Sequence, residues 1–256
     1  MVRILLMRHA ESEYNKAESK NKANNCPISE IDLLFSLDQN IIDPNLTQTG
    51  INQATESGPI IAKNFPNIKY WIVSPARRTF QTMLNAFQNY PLGFHPENIK
   101  ICPLVAEPCN QSSDSFFKTN ENFLIRPDIS FDFMKQYENP EIWFIHNIHE
   151  SGDQSLKNEL IKNWKDNKNP EKIIGLMKEN YPKRFASDNK AIRGVIEQAQ
   201  DMLKKLCVDK KIGDNEVIVI THSSILKGWT ANSFDQECNP VGYKNFKNCE
   251  VFSIEL

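Results

Sequence analysis

The chain has 256 residues, 40% of them hydrophobic and 24% charged, with a net charge of −2. This length holds one large α/β domain with a filled core, or two small ones, and the composition excludes a disordered chain. A near-neutral balance gives no global field for nucleic acid or an anionic membrane, so an anion has to be bound by a local cluster of side chains.

Val2 to Met7 form an apolar run interrupted only by Arg3, which predicts a strand buried on both faces of a sheet. It stops at Arg8-His9, and so delivers a guanidinium and an imidazole to the carboxyl edge of the sheet, where open α/β folds build their ligand crevices. After Asn15 the sequence is polar as far as a small apolar patch at Ile31 to Phe35. A connection of that length reads as a candidate lid over residues 16–42. Thr47 is a helix-start signal, and apolar positions at Ile51, Ala54, Ile60 and Ile61 carry a helix to about Phe65, kinked or restarted at Gly58-Pro59.

Tyr70 to Val73 is a second buried strand, followed by Ser74-Pro75 and a helix whose Phe80, Met83, Leu84 and Phe87 share one face. Arg77 and Arg78 fall in its first turn, where the helix dipole disfavours cations, so a bound anion would offset the conflict. Ile101 to Val105 reads as a short strand leading into Glu107. Residues 111–188 show no sustained period, although Ser130 to Tyr137 and Ser155 to Trp164 are helix candidates. This stretch is expected to be an insertion of helices and loops packed over the sheet's carboxyl edge.

Asn189 to Val208 has the apolar spacing of an amphipathic helix, and Glu216 to Thr221 is a third buried strand, ending in His222-Ser223-Ser224. Glu250 to Leu256 closes the chain as a last strand. With no repeat and no composition shift, the expectation is one domain over residues 1–256. The six cysteines (Cys26, Cys102, Cys109, Cys207, Cys238 and Cys249) make no CxxC pair and read as reduced thiols. No segment reaches the ~20 apolar residues of a membrane span, and the N-terminal run is short for a signal-peptide core, so a cytoplasmic protein is expected.

Three strand-to-helix junctions, far apart in sequence, thus present Arg8-His9, Arg77-Arg78 and His222. Together they would form a site for a tetrahedral dianion, because guanidinium forks match phosphate oxygens bidentately. A capped histidine or a solvated arginine pair explains any one junction equally well, but not all three at once.

The residues at these junctions resemble the signatures of the histidine phosphatase superfamily, which includes the cofactor-dependent phosphoglycerate mutases. RHAESEYN from Arg8 resembles the RHG motif, with Ala10 in place of glycine. DPNLTQTGINQA from Asp43 resembles D-x-x-L-T-x-x-G-x-x-Q-A, and SPARRTFQT from Ser74 resembles S-P-L-x-R-x-x-Q-T with Arg77 at a variable position. VITHSS from Val219 resembles V-x-H-G-G, with one extra residue before His222 and Ser223-Ser224 in place of the glycine pair. Small residues at both departures are expected to preserve the pocket.

The resemblance implies a three-layer α/β/α fold with a mostly parallel central sheet, like that of phosphoglycerate mutase. It makes His9 the nucleophile that forms a phosphohistidine, and Arg8, Arg78 and His222 the groups that hold the phosphoryl group. Asn15 would add a donor, with Ser223 beside His222 in the substrate site. The chemistry agrees, since a neutral imidazole is a competent nucleophile near pH 7 and neighbouring guanidinium charge disfavours imidazolium. The other ring nitrogen needs an acceptor, for which a backbone carbonyl is expected.

Glu107 resembles the family's general acid, with Asp114 as its rival. His146, His149 and Glu150 match no recognised metal motif, and the mechanism implied needs neither metal nor cofactor. The leading expectation is a phosphomonoester hydrolase acting on a phosphorylated small molecule or phosphoprotein. Its rivals are a phosphoglycerate mutase, whose E-R-x-Y-G segment is not visible, and a catalytically weak phospho-ligand binding or scaffold protein. Oligomeric state is left open.

Overall fold

A computed structural model describes residues 3–24, 41–87, 90, 95–109, 112–119, 122, 125–146, 154–180, 189–209 and 216–255. In chain order the N-terminal part runs β1 (Arg3–Arg8), α1 (Glu13–Ala23), α2 (Gln48–Asn64), β2 (Ile68–Val73), α3 (Arg77–Phe87) and β3 (Ile99–Ile101). Among the described residues there follow the α-helices α4 (Trp143–His146), α5 (Gln154–Asn167) and α6 (Pro170–Asn180). The C-terminal part is α7 (Asn189–Asp209), β4 (Glu216–Thr221), α8 (Ser223–Trp229), a small hairpin of β5 (Ser233–Phe234) and β6 (Pro240–Val241), and β7 (Val251–Glu255).

Five strands form one sheet in the order β3-β2-β4-β1-β7. All pairings are parallel except that of β7 with β1. The three strands read from their apolar runs, β2, β4 and β1, are therefore neighbours pointing the same way, with Arg8 opposite Thr221 and Val73 opposite Ile220. Alternate side chains of each strand enter different layers, as the period of two requires. Leu5, Met7, Trp71, Val73, Ile218 and Ile220 pack with Ile61 of α2, with Phe80 and Met83 of α3, and with α5 and α6. Ile4, Leu6, Ile72, Val217 and Val219 face the other way, against Ile192, Ile196 and Leu203 of α7 and Ile225 and Leu226 of α8. The architecture is three layers, α/β/α, about a mostly parallel sheet. Among the described residues no helix is long and apolar enough to cross a membrane.

Several elements differ from the sequence reading. The polar stretch after Asn15 begins as helix α1, of which only Tyr14 is buried. Its stability comes from its ends: a capping box between Ser12 and Asn15, Glu13 in the first turn, Lys20 and Lys22 in the last, and a Glu18–Lys22 pair at 2.7 Å. Residues 25–40, the rest of the candidate lid, lie outside the described residues. Helix α2 runs through Gly58-Pro59 without a restart. The carbonyl that Pro59 leaves without a partner belongs to Thr55, on the exposed face where water can bond it.

The strand expected over Ile101 to Val105 ends at Ile101, and Pro103 opens a 3-10 turn instead, since proline cannot donate to a ladder. Ser130 to Tyr137 contains a 3-10 segment, Asp132–Gln136, rather than an α-helix. The described part of 111–188 joins the same apolar cluster as the sheet, through Phe116, Phe131, Trp143, Leu160 and Ile174. It is tied to the carboxyl edge by Asn122 Nδ2, which donates to the Pro75 carbonyl at 3.1 Å. His149 and Glu150 lie outside the described residues.

Gly58 is explained by packing, because a Cβ there would lie 2.1 Å from the Ala86 carbonyl oxygen of α3. Gly175, exposed in α6, has nothing within 4 Å of its ideal Cβ. Gly58→Ala is therefore expected to destabilise the fold by about 1–3 kcal/mol through forced separation of α2 from α3. Gly175→Ala should stabilise it by about 0.5–1 kcal/mol through helix propensity. Denaturant melts of the two variants check the contrast, which reverses if Gly58 serves only as a helix break.

Candidate active site

Strands β1, β2 and β4 end side by side, and the residue or two after each forms the floor of the site. After β1 the chain turns through His9 and Ala10 into Ser12, the cap of α1. This turn is braced by the second motif. Glu11 N–H donates to Gln53 Oε1 at 2.9 Å, Thr47 N–H donates to the Glu11 carbonyl at 3.0 Å, and Thr47 Oγ1 donates to Glu11 Oε1 at 2.7 Å. Gly50 is required here because a Cβ would fall 2.0 Å from the Glu11 carbonyl oxygen. The methyl of Ala10, where the motif has glycine, packs against Leu46 and Ala54.

The third motif supplies the opposite wall. Ala10 N–H donates to Thr82 Oγ1 at 3.0 Å, and Leu46 N–H donates to Gln81 Oε1 at 2.8 Å. The N-terminus of α3 is covered by Asp43, which is fully buried and whose Oδ1 accepts the Arg77 N–H at 2.9 Å. A carboxylate thus offsets the dipole conflict noted for two arginines in a first turn. Burial raises Asp43 to about 6, while that hydrogen bond and the charges of Arg78, Arg77 and Lys118 oppose the rise.

His9 is 4% exposed, and its Nδ1 lies 2.7 Å from the carbonyl oxygen of Ala10. A carbonyl only accepts, so Nδ1 carries the hydrogen and Nε2 keeps its lone pair. His222 is 0% exposed, with its ring centroid 5.2 Å from that of His9. Its Nε2 is 2.7 Å from Ser74 Oγ, which also accepts the Ala76 N–H at 3.4 Å. His222 Nδ1 has no hydrogen-bond partner among the described residues, and it carries the hydrogen in the tautomer in which the serine donates to Nε2. Burial holds both imidazoles well below the usual histidine value, with Arg78 and Arg8 adding to the shift. Both are neutral at pH 7.

Arg78, 4% exposed, is fixed by two hydrogen bonds: Nη1 donates to the Ser113 carbonyl at 2.8 Å and Nη2 to Asp114 Oδ1 at 2.9 Å. Arg8 Nη1 donates to the Phe246 carbonyl at 2.8 Å. Glu107 Oε2 is 3.7 Å from His222 Nδ1, and its side chain is 11% exposed. Burial pushes this carboxyl up to about 7; Asp114 adds to the rise, and a hydrogen bond from Ser224 and the charges of Arg78 and Arg8 oppose it.

The structure thus brings Arg8, His9, Arg78, Glu107, Asp114 and His222 together. Asn15 Oδ1 is taken by the backbone N–H and hydroxyl of Ser12, both at 3.1 Å, so only its amide NH2 is available to a ligand. Ser223 opens α8 beside His222, but it is Ser224 that bonds Glu107. Sequence reasoning gave no role to Asp43, Ser74, Thr82 or Ser224. All four stand inside the motifs, so their signal was present but had no geometry attached. Among the described residues no group of three or more His, Cys, Asp or Glu is placed to hold a metal ion.

No protein-family model matches the sequence, and no curated protein matches it. Comparison of structures is informative. The native structure of a mycobacterial glucosyl-3-phosphoglycerate phosphatase is 10% identical, with a TM-score of 0.51 and coverage of 100% of this chain and 90% of that one. The same enzyme in complex with VO3 is 11% identical, with a TM-score of 0.50 and coverage of 100% and 93%. A second mycobacterial hydrolase is 10% identical, with a TM-score of 0.50 and coverage of 98% and 81%. The likeness is one of fold: the chain shares the three-layer α/β/α fold of these solved structures.

Proposed function

We propose that the chain is a phosphomonoester hydrolase that works through a phosphohistidine on His9. The observation that carries this reading is the His9 ring itself, held by the Ala10 carbonyl with a lone pair on Nε2 and flanked by two guanidinium groups and a raised carboxyl. In the first step Nε2 attacks phosphorus and the phosphorus–oxygen ester bond breaks. The departing alkoxide takes the proton of Glu107. In the second step a water attacks phosphorus, Glu107 takes its proton, and inorganic phosphate leaves Nε2. Arg8, Arg78, the Nδ1–H of His222 and the amide NH2 of Asn15 stabilise the equatorial oxygens, with Ser223 at the rim. The two guanidinium groups supply the positive charge this requires and the imidazole and amide add neutral donors, so the proposed mechanism uses no metal or other cofactor.

Glu107 is the better general acid of the two carboxyls. Asp114 is committed to Arg78 in a buried ion pair, where its charge orients the guanidinium and helps to keep Glu107 protonated. A phosphoglycerate mutase would share the first step and return the phosphoryl group to substrate. Hydrolysis is favoured because the mutase-type segment after the acid is not visible in the sequence. A binding or scaffold role is disfavoured by an assembled nucleophile and acid, which phosphate binding alone does not need. The depth of His9 requires a substrate that presents its phosphate on an arm, which a phosphorylated small molecule does most readily and a phosphoprotein side chain can also do. The five described cysteines are free, in keeping with a proposed cytoplasmic setting.

Two experiments test the reading. His9→Ala should lose phosphomonoester turnover by on the order of 10⁴-fold or more, as expected for a covalent nucleophile, while keeping its fold by circular dichroism. Wild-type enzyme quenched during turnover should carry phosphate on His9 by mass spectrometry. Turnover by the alanine variant at a comparable rate would exclude the covalent route.

The second test concerns Glu107. Its Gln variant should hardly slow phosphorylation by a nitrophenyl phosphate, whose leaving group departs without a proton, but should slow an alkyl phosphate by roughly a hundredfold or more. Because only the protonated carboxyl donates, the wild-type phosphorylation rate with the alkyl ester should also fall as pH rises through about 7. Both effects have to be read on the phosphorylation step by single-turnover kinetics, since the same residue is the base in the second step. Equal slowing for both esters in Glu107→Gln would remove Glu107 as the acid. A leaving-group-dependent loss in Asp114→Asn would move the assignment there.

A further inference from the structure

A segment outside all four motifs reaches the nucleophile from the far end of the chain. Between the hairpin and β7, residues 244–250 fold back over the end of β1. Cys249 N–H donates to the Arg8 carbonyl at 3.0 Å, and Arg8 N–H donates to the Glu250 carbonyl at 3.3 Å. The Phe246 carbonyl takes the Arg8 guanidinium, and Asn248 Nδ2 donates to the His9 carbonyl at 2.8 Å. The segment is itself fixed. Cys249 adopts a left-handed φ of 59°, Lys247 N–H donates to Glu250 Oε2 at 2.8 Å, and Lys244 pairs with Glu250 Oε1 at 2.7 Å.

The consequence concerns the peptide plane between His9 and Ala10. Its oxygen is held by Asn248 and its N–H by Thr82, from opposite sides. His9 N–H is bonded to the Thr221 carbonyl at 3.0 Å, and its Nδ1 to the next carbonyl, that of Ala10. Every polar atom of His9 except Nε2 therefore has a partner. If the plane rotates, the Ala10 carbonyl moves relative to the imidazole, and with it both the direction of Nε2 and the choice of tautomer.

We propose that Asn248 is a positioning residue: its amide locks the His9–Ala10 peptide plane and so aims His9 Nε2 at phosphorus. This deepens the phosphohistidine reading above and rests on it. The donor is the side chain of an asparagine, so a shape-conserving change to aspartate removes the hydrogen and places an acceptor against a carbonyl.

The test compares wild type with Asn248→Ala and Asn248→Asp, using p-nitrophenyl phosphate in single turnover and ¹⁵N spectra of the histidine ring. Phosphorylation should slow by about tenfold to a hundredfold, the scale set by misplacing a reacting atom by about 1 Å. The half-saturating ester concentration should change by no more than about threefold, because Arg78 and His222 are untouched. The His9 ring should pass from one tautomer, protonated at Nδ1, to an average of two. A merely structural residue would lower the melting temperature without that spectral change. Unchanged phosphorylation and unchanged ring signals in a folded Asp or Ala variant would overturn the inference. If wild type forms no phosphoenzyme, it is the functional reading that fails, and the ring spectra alone then decide whether Asn248 orients His9.

Discussion

An imidazole has two nitrogens, and it can act as a nucleophile in a fixed direction only when one of them is occupied. In this protein the occupant is the Ala10 carbonyl, 2.7 Å from His9 Nδ1. Much of the surrounding structure serves to keep that carbonyl in place. The turn over residues 10–12 is held by Gln53, Thr47 and Thr82, and Gly50 lets α2 approach it closely. Within the motifs from Asp43 and from Ser74, it is helix caps, amides and hydroxyls such as Thr47, Gln53, Gln81 and Thr82 that clamp the turn after β1 and the chain packed on it.

The electrostatics follow from burying several charges in one crevice. Burial keeps both imidazoles neutral, and the two guanidinium groups beside them add to the effect. Leaving Arg78 with no anion would be costly, and Asp114 supplies one at 2.9 Å, with the remaining donor on the Ser113 carbonyl. That carboxylate in turn repels charge on Glu107, which burial already disfavours. One ion pair thus orients the Arg78 guanidinium and helps to raise a neighbouring carboxyl. Asp43 repeats the theme at the start of α3, where a buried carboxylate offsets both the helix dipole and the adjacent cations.

The parallel sheet was legible because its strands are short apolar runs with abrupt polar ends, and both facts follow from burial on two faces. Those ends put Arg8, His9, the Arg77-Arg78 pair and His222 at one edge of the sheet, and singling out Arg78 from Arg77 took the resemblance to the family's motif. Helix α1 was not legible, since it has no apolar stripe and depends on its caps and end charges. The described residues between 112 and 146 hid their order because they rest on aromatic contacts, such as Phe116 stacked on Trp143 with centroids 5.2 Å apart, and on 3-10 turns that break the period of 3.6. The choice between Glu107 and Asp114 could not be made from spacing, because it depends on which carboxyl meets Arg78. Asn248 gave no signal at all: its partner lies 239 positions away, and an asparagine before a strand reads as a turn residue.

In the proposed reaction the same carboxyl must give a proton in one step and take one in the next, which sets a condition on its environment. A carboxyl at its ordinary value is almost fully ionised at neutral pH and rarely available as an acid, whereas one raised far above 7 would be a poor acid and rarely available as a base. Burial and Asp114 raise Glu107, while Ser224, Arg78 and Arg8 hold the rise in check, and the balance falls at about 7. A carboxyl raised in this direction can reach both forms near neutral pH, as the two halves of the proposed transfer to water require. The ion pair between Arg78 and Asp114 contributes to both sides of this balance, through the guanidinium that lowers Glu107 and the carboxylate that raises it. The proposed hydrolysis would therefore depend on the spacing of that pair from Glu107 as much as on His9.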